Sequence, residues 1–174
     1  MTISYAMLGI LGQKAGYGYE LKQRYDSYFG REKPLAFGQV YATLSRLLRD
    51  NKIAEEATER AGGPERKKYA ITTQGRKDLE VWLAQPEPVH ADSQSVLLTK
   101  VMTGILLNRS PLTFLDTQRS QHIARMRELT HARQSSDLAL KLQADLALFH
   151  LEADLRWIDA TEARLGALTK EIHT

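Results

Sequence analysis

Three polar side chains with base-reading chemistry recur along one short segment, residues 38–50. Gln39, Arg46 and Arg49 follow one another at intervals of seven and three residues, and at about 100° per residue these intervals place all three on one side of a helix. Glutamine and arginine are the side chains that read adenine and guanine edges through paired hydrogen bonds. The spacing therefore predicts a helix that presents its polar side to a nucleic acid.

The other side of this segment is apolar. Val40, Leu44 and Leu47 fall at i, i+4 and i+7, which is the spacing of a buried helical stripe. Thr43 and Tyr41 lie on the flanks of the polar side and are further candidates for contact with DNA. Tyr41 is equally consistent with the rim of the core.

A second basic feature follows as Arg66, Lys67 and Lys68, directly after a turn-forming stretch that contains Gly62, Gly63 and Pro64. Alternating residues on both sides of this stretch predict a two-stranded hairpin. Basic side chains beside such a turn are suited to phosphate contacts. Lysine also protects exposed sheet edges, so the run has a purely structural interpretation as well.

The elements that would position these side chains read as helix, helix, helix, hairpin, helix. The helices are expected near residues 3–11, 19–29 and 38–50, and a fourth is capped by Thr72 or Thr73. Asn51 follows the third helix, where a left-handed cap is needed. This order is that of a winged helix-turn-helix, in which the third helix enters the major groove and the hairpin lies along the backbone or minor groove.

Two prolines in residues 84–93 prevent a helix from running through that stretch. The predicted domains are therefore 1–85, a winged helix-turn-helix that binds DNA, and 94–174, a helical dimerisation domain. The fold class is mainly α with a small β hairpin. Helices are expected in the second domain at 94–107, from Ser110 and Pro111 to about 133, and from 138 to about 168, with a break at Ser135, Ser136 and Asp137.

The last predicted helix carries two apolar stripes. One contains Leu138, Leu142, Leu146, Phe149 and Ala153, and the nearly opposite one contains Leu140, Leu148, Leu151, Leu155, Ile158 and Leu165. One stripe can pack on the chain's own helices near Leu115, Ile123 and Met126, and the other requires a partner. We expect the second stripe to pair two copies of the chain, through Leu148, Leu151, Leu155 and Ile158.

Composition narrows the function classes. The chain has 43% hydrophobic and 26% charged residues and no cysteine, which excludes disulfides, thiolate metal sites and a cysteine nucleophile and fits a reducing cytoplasm. Residues 1–85 hold 14 Lys/Arg against 10 Asp/Glu, whereas residues 86–174 hold 10 against 11. This excess favours a polyanionic partner for the first half. No leader is recognised, and the longest apolar stretch, about 13 residues, is too short to span a bilayer.

Enzymatic and metal-binding functions are not expected. The sequence has no GxSxG, HExxH, phosphate-loop or nucleotide-binding motif. Its five histidines include no pair at i, i+3 or i+4, so neither a metal nor a cofactor is predicted. Trp157 could line a pocket for a small effector, or it could simply pack between helices.

Residues 17–83 resemble the PadR family of bacterial transcriptional regulators. The matching stretches are GYGYELKQR, GQVYATLSRLLRDNKI, GPERKKYAIT and TTQGRKDLEVWL. The stretch LFHLEADLRWIDATEARL is similar to the last helix of the longer, Vir-like branch of that family. Asn51 stands where the family usually has glycine. Tyr17, at the start of the resemblance, is included among the candidate DNA-contacting residues.

The resemblance implies a repressor that acts as a homodimer on a roughly palindromic operator in double-stranded DNA. It also implies relief of repression by a small hydrophobic or aromatic molecule. Periodicity and composition support only a DNA-binding module joined to a helical pairing domain. The alternative is a winged-helix protein-interaction module that does not bind DNA, which a lack of salt-dependent DNA affinity would reveal.

Overall fold

The computed structural model describes residues 2–30, 34–59, 66–89, 94–134 and 137–173. The predicted turn at Gly62, Gly63 and Pro64 and the predicted break at Ser135 and Ser136 lie outside these ranges. Within them the chain forms seven helices and three strands. Their bounds are α1 Thr2–Gln13, β1 Gly16–Tyr17, α2 Gly18–Tyr28, α3 Phe37–Arg49, β2 Ile53–Glu59, β3 Arg66–Ile71, α4 Thr73–Ala84, α5 Gln94–Leu106, α6 Leu112–Ala132 and α7 Leu138–His173.

The chain divides into two compact units. The N-terminal unit comprises Met1–Ala84 and Leu98–Arg109, and the C-terminal unit comprises Gln85–Leu97 and Ser110–Thr174. The sequence had placed all of 94–174 in the second domain, whereas most of α5 packs in the first unit. Most apolar side chains of α5 are buried in that unit. Thr103 of α5 lies so close to Gly9 of α1 that no methyl group would fit between them. The functional roles of the two units stay predictions.

The N-terminal unit has the winged helix-turn-helix order that the sequence predicted. Its antiparallel sheet has the strand order β1–β3–β2, so a third, two-residue strand joins the expected hairpin. Gly16 lies opposite Tyr69 on one side of β3, and Ile53 lies opposite Ile71 on the other. The core of the unit is built from Met7, Leu8, Ile10, Leu11, Leu21, Val40, Leu44, Leu47, Ile53, Ile71 and Leu79, all buried.

Helix α5 is enclosed along most of its length, although it carries a lysine. Lys100 is only 2% exposed, and its ammonium lies 5.0 Å from the centre of the Trp82 ring. Trp82 in turn stacks on Tyr5 with a ring separation of 4.4 Å. The cation is thus buried against an aromatic face. None of the helices in the described ranges is long and apolar enough to cross a membrane.

The connections around β2 and α4 follow the predicted local chemistry. Asn51 has φ of 54°, which confirms the left-handed conformation expected after α3. Thr72 caps α4, because its hydroxyl accepts the N–H of Gly75 at 3.0 Å. The Thr72 N–H donates to the carbonyl of Lys52 at 3.0 Å. These bonds fix the start of α4 directly against the turn that follows α3.

The C-terminal unit is built on the packing of α6 against α7. Leu148 and Leu151 of α7 are buried in one cluster with Leu129 and Ala144, and Met126 packs against that cluster. As predicted, Asp137 caps α7 by accepting the N–H of Ala139 at 2.8 Å.

This packing corrects the predicted dimerisation face. The stripe predicted to pair two chains packs inside its own chain instead. Leu148, Leu151 and Ile158 are buried, and Leu155 is half-buried. The opposite stripe is the exposed one. Leu138, Leu142, Leu146 and Phe149 are each between 61% and 69% exposed, because α6 covers the Leu151 face instead.

A buried polar network crosses the C-terminal unit. His122 is fully buried, with Nδ1 2.8 Å from the carbonyl of Gln118 and Nε2 3.2 Å from Oδ2 of Asp154. The Gln118 amide forms two hydrogen bonds of 2.9 Å with the backbone of Glu87. Buried polar groups are costly unless they are paired. The network therefore fixes α7 and the segment after α4 in specific positions on α6.

Candidate nucleic-acid interface

The polar face of α3 is positioned by contacts at the start of the helix. Asp26 of α2 accepts the N–H of Leu35 at 2.9 Å and pairs with Lys22 at 2.5 Å. Burial alone would raise the pKa of Asp26, but the hydrogen bonds from Lys22 and Leu35 outweigh it and lower that pKa. One residue further, the N–H of Ala36 donates to Oε1 of Gln39 at 3.1 Å. The carboxylate and the amide together fix where α3 begins.

The exposed face of α3 contains the three base-reading candidates. Gln39, Arg46 and Arg49 are all exposed. Ser45 is exposed as well, and at about 100° per residue it lies between Tyr41 and Arg49 on the same face. Ser45 was not among the residues predicted from the sequence, although the helical spacing alone could have placed it there.

The three candidates differ in how free their polar groups are. Arg46 forms no ion pair with any residue in the described part of the chain. Arg49 lies 3.5 Å from the carboxylate of Asp50. Gln39 uses its carbonyl oxygen at the helix start, so paired reading of adenine would require that oxygen to accept a second hydrogen bond or to give up the first. Arg46 is therefore the strongest candidate for a base contact.

Thr43 does not belong to the exposed face. It is only 6% exposed, and its hydroxyl donates to the backbone carbonyl of Gln39 at 2.7 Å. Helical spacing had predicted Thr43 on the flank of the polar side. The structure turns it toward the apolar side, because it precedes the buried Leu44 and follows Val40 by three residues.

The tyrosines predicted to contact DNA lie near the start of α2. Tyr41 is 48% exposed, and the edge of its ring packs against Gly18. Tyr17 is half-buried and stacks on Tyr19 with a ring separation of 6.2 Å, and its N–H donates to the Glu20 carboxylate at 3.0 Å. Phenol hydroxyls beside a helix N-terminus are suited to phosphate contacts.

The basic run on β3 is paired with acidic residues of β2. Nζ of Lys67 lies 2.9 Å from Oε1 of Glu55, and Nζ of Lys68 lies 3.7 Å from Oε2 of Glu56. Arg66 begins β3, but its side chain lies outside the described residues. The sequence predicted a basic hairpin but not these pairs, because they depend on the register of the two strands.

The other predicted features concern the C-terminal unit. Trp157 is half-buried on α7. Among the described residues, no contact of Trp157 distinguishes ligand binding from helix packing, so its effector role stays a prediction. In the same ranges, no group of three or more His, Cys, Asp or Glu side chains is placed to hold a metal ion.

The three helices, the wing and the exposed polar face of the third helix define a winged helix-turn-helix protein. The model of the PadR-like family of transcriptional regulators matches residues 7–81. This part of the chain, less than half of it, therefore has the sequence pattern of that family, as the sequence resemblance predicted.

Individual relatives agree with the family match. A probable transcriptional regulator of Mycobacterium tuberculosis is 34% identical over 86 residues, which cover 49% of this chain and 46% of that protein. The negative transcriptional regulator PadR of Bacillus subtilis is 26% identical over 88 residues, covering 51% and 48%. The matched stretch of this chain thus spans about half the length of each of these two relatives.

The family match ends at residue 81 and so does not include the C-terminal unit. The crystal structure of Bacillus subtilis PadR in complex with operator DNA is similar over 91% of this chain and 96% of that chain, at 19% identity and a TM-score of 0.47. The family assignment rests on the N-terminal residues and not on this whole-chain likeness.

Proposed function

We propose that this chain is a DNA-binding transcriptional repressor that acts as a homodimer on a roughly palindromic operator. The observation that carries the proposal is the exposed face of α3, where Gln39, Ser45, Arg46 and Arg49 share one side of a helix in a winged helix-turn-helix unit. Such a helix fits the major groove, which presents a distinct pattern of hydrogen-bonding groups for each base pair.

The remainder of the N-terminal unit supports binding to the DNA backbone. Lys67 and Lys68 on the wing and the phenols of Tyr17 and Tyr41 supply donors suited to phosphate oxygens. Residues 1–85 carry an excess of four positive charges, whereas the rest of the chain carries a slight negative excess. Base contacts would then set specificity, and phosphate contacts would set orientation and most of the salt-dependent affinity.

Repression is supported by the role of a relative. The Bacillus subtilis protein that matches this chain over 88 residues is a negative transcriptional regulator. A protein that occupies an operator without contacting polymerase represses by exclusion, and the short N-terminal unit needs only its DNA-binding face for that role.

Homodimerisation is supported by the exposed apolar stripe of α7. Leu138, Leu142, Leu146 and Phe149 lie within about 80° of one another around the helix and span roughly 17 Å along it, at about 1.5 Å per residue. A strip of large exposed side chains marks an interface more often than a free surface. A two-fold pair of chains also matches the symmetry of a palindromic operator.

Relief of repression by a small hydrophobic or aromatic molecule completes the proposal. It rests on the family resemblance and on Trp157, whose half-buried ring on α7 offers an apolar surface with a polar edge. Replacing Trp157 by leucine should then weaken the effector response without lowering affinity for DNA, as measured by operator binding with and without candidate aromatic acids.

Replacing Arg46 by alanine is expected to weaken binding to the operator by about 1–3 kcal/mol, the usual size of a base-reading contact. Binding to a scrambled duplex should change much less. The measurement is a footprint titration on both duplexes, using an operator selected from random sequences. Arg127→Ala is the matched control, because it removes the same charge from an exposed position on α6.

An equal loss of affinity on the two duplexes would show that Arg46 contacts only the DNA backbone. Gln39 needs a different pair of variants, because Gln39→Ala also removes the hydrogen bond at the start of α3. Gln39→Glu keeps an oxygen for that bond and removes the amide donor, so a base-reading role predicts losses from both variants.

A further inference from the structure

The wing lysines are held by carboxylates before any DNA is bound. The Glu55–Lys67 pair lies on the same face of the sheet as Tyr69, because Glu55 stands directly opposite Tyr69 in the register and side chains alternate along a strand. Lys68 points to the other face, where it meets Glu56. Among the wing side chains that the structure describes, each face thus has an ion pair between β2 and β3.

A strand irregularity brings the second carboxylate into place. The register is Glu55 opposite Tyr69 and Ala57 opposite Lys68, so Glu56 is the extra residue at a β-bulge. Bulges redirect side chains and are built-in features of a sheet. Two consecutive glutamates of β2 therefore both pair with lysines of β3, and their two negative charges offset the two lysine charges.

These pairs are exposed enough to be exchanged. The lysine side chains are 50% and 37% exposed, and those of Glu55 and Glu56 are 36% and 50% exposed. Exposed ion pairs are weak, so a correctly placed phosphate can take over the ammonium group. A phosphate that approaches in the wrong geometry meets the carboxylates instead and is repelled.

We propose that Glu55 and Glu56 are specificity-determining residues, which hold the wing lysines and thereby suppress binding to unrelated DNA. The inference rests on the proposed DNA-binding function. Binding to unrelated sequences depends almost wholly on phosphate neutralisation, whereas operator binding also includes the base contacts of α3. Occupying the lysines therefore lowers the first affinity more than the second, in the way that repulsive elements create specificity elsewhere.

The test is a mutant cycle on the full chain, in which affinity for a scrambled duplex and for the selected operator is measured by fluorescence anisotropy at about 0.1 M salt. Glu55→Gln should raise affinity for the scrambled duplex by up to about eightfold, because the released lysine gains one phosphate contact. Such a contact has a salt slope of about 0.9, which corresponds to a factor of about eight at 0.1 M relative to 1 M salt. Lys67→Gln alone should change it less than twofold, because Lys67 is already occupied. The double variant should return close to the wild-type affinity.

A second cycle, with Glu56→Gln and Lys68→Gln, should give the same pattern as the first. In Glu55→Gln and in Glu56→Gln, the ratio of operator affinity to scrambled-duplex affinity should fall. Glu152→Gln, at an exposed position on α7, is the control for net charge and should leave both affinities unchanged. Thermal unfolding confirms that each variant is folded.

The outcomes separate this inference from the proposed function. If Glu55→Gln raises affinity equally with and without Lys67, the carboxylate acts only through general charge, and the inference is overturned while DNA binding stands. If the wild-type chain binds neither duplex, the proposed function and the inference both fail.

Discussion

Replacing Leu142 and Leu146 by glutamate is expected to convert the protein to monomers and to abolish operator binding. Both side chains lie on the exposed stripe of α7, and burying a leucine contributes about 1.5–3 kcal/mol. Because both chains of a homodimer carry both changes, four such contributions are lost, which weakens dimerisation by at least roughly 10⁴-fold, since about 1.4 kcal/mol corresponds to a factor of ten. The N-terminal unit is unchanged, so the loss of operator binding would follow from the loss of the two-fold arrangement.

Sedimentation velocity at micromolar concentration measures this result directly. Gln143→Glu is the matched control, because Gln143 is exposed on α7 but lies outside the apolar stripe, and this variant should stay dimeric. Leu151→Glu should instead unfold the C-terminal unit, since Leu151 is buried against α6. A wild-type monomer, or a dimeric Leu142→Glu/Leu146→Glu variant, contradicts the proposed interface.

Replacing Gly75 by alanine is expected to lower the free energy of unfolding of the N-terminal unit by about 1–3 kcal/mol, the usual cost of overpacking. A Cβ at this position would overlap the backbone carbonyl of Lys52. That carbonyl cannot move freely, because it accepts the Thr72 N–H. The added methyl group therefore has to displace the start of α4 or the turn that follows α3.

Gly166→Ala supplies the comparison for this prediction. Gly166 is also inside a helix, and a Cβ there meets nothing within 4 Å. Alanine is preferred over glycine in helix interiors by about 0.8–1.0 kcal/mol, so this variant should be slightly stabilised. Opposite signs for the two substitutions in thermal unfolding would confirm the close approach at Gly75, and equal signs would refute it.

Much of the N-terminal unit could be predicted from local patterns in the sequence. The spacing of Val40, Leu44 and Leu47 determined which side of α3 is buried, and therefore which side exposes Arg46. Asn51 and Thr72 were predictable because a left-handed cap and an N-terminal hydroxyl cap depend on a few neighbouring residues. Strand β1 was not, because two residues, Gly16 and Tyr17, show no periodicity.

Apart from the side of α3 on which Thr43 lies, the errors concern contacts between residues distant in sequence. Both stripes of α7 are apolar and similar in length, so helical spacing could not determine that α6 covers the Leu151 face. The pairing of Lys67 with Glu55 depends on strand register across a turn. The buried His122–Asp154 pair joins residues 32 positions apart, and neither residue has a local signal that predicts its burial.

Sequence-specific binding of DNA by this chain is tested most directly by the salt dependence of its affinity. The wild-type protein would be titrated on a selected operator of about 30 base pairs and on its scrambled counterpart, between about 0.05 and 0.2 M salt. We expect log affinity to fall linearly with log salt, by about 0.9 for each phosphate contact, and the operator to bind at least about 10³-fold more tightly. Affinity that is absent, equal on the two duplexes or indifferent to salt would contradict sequence-specific DNA binding and favour a winged helix that binds a protein partner.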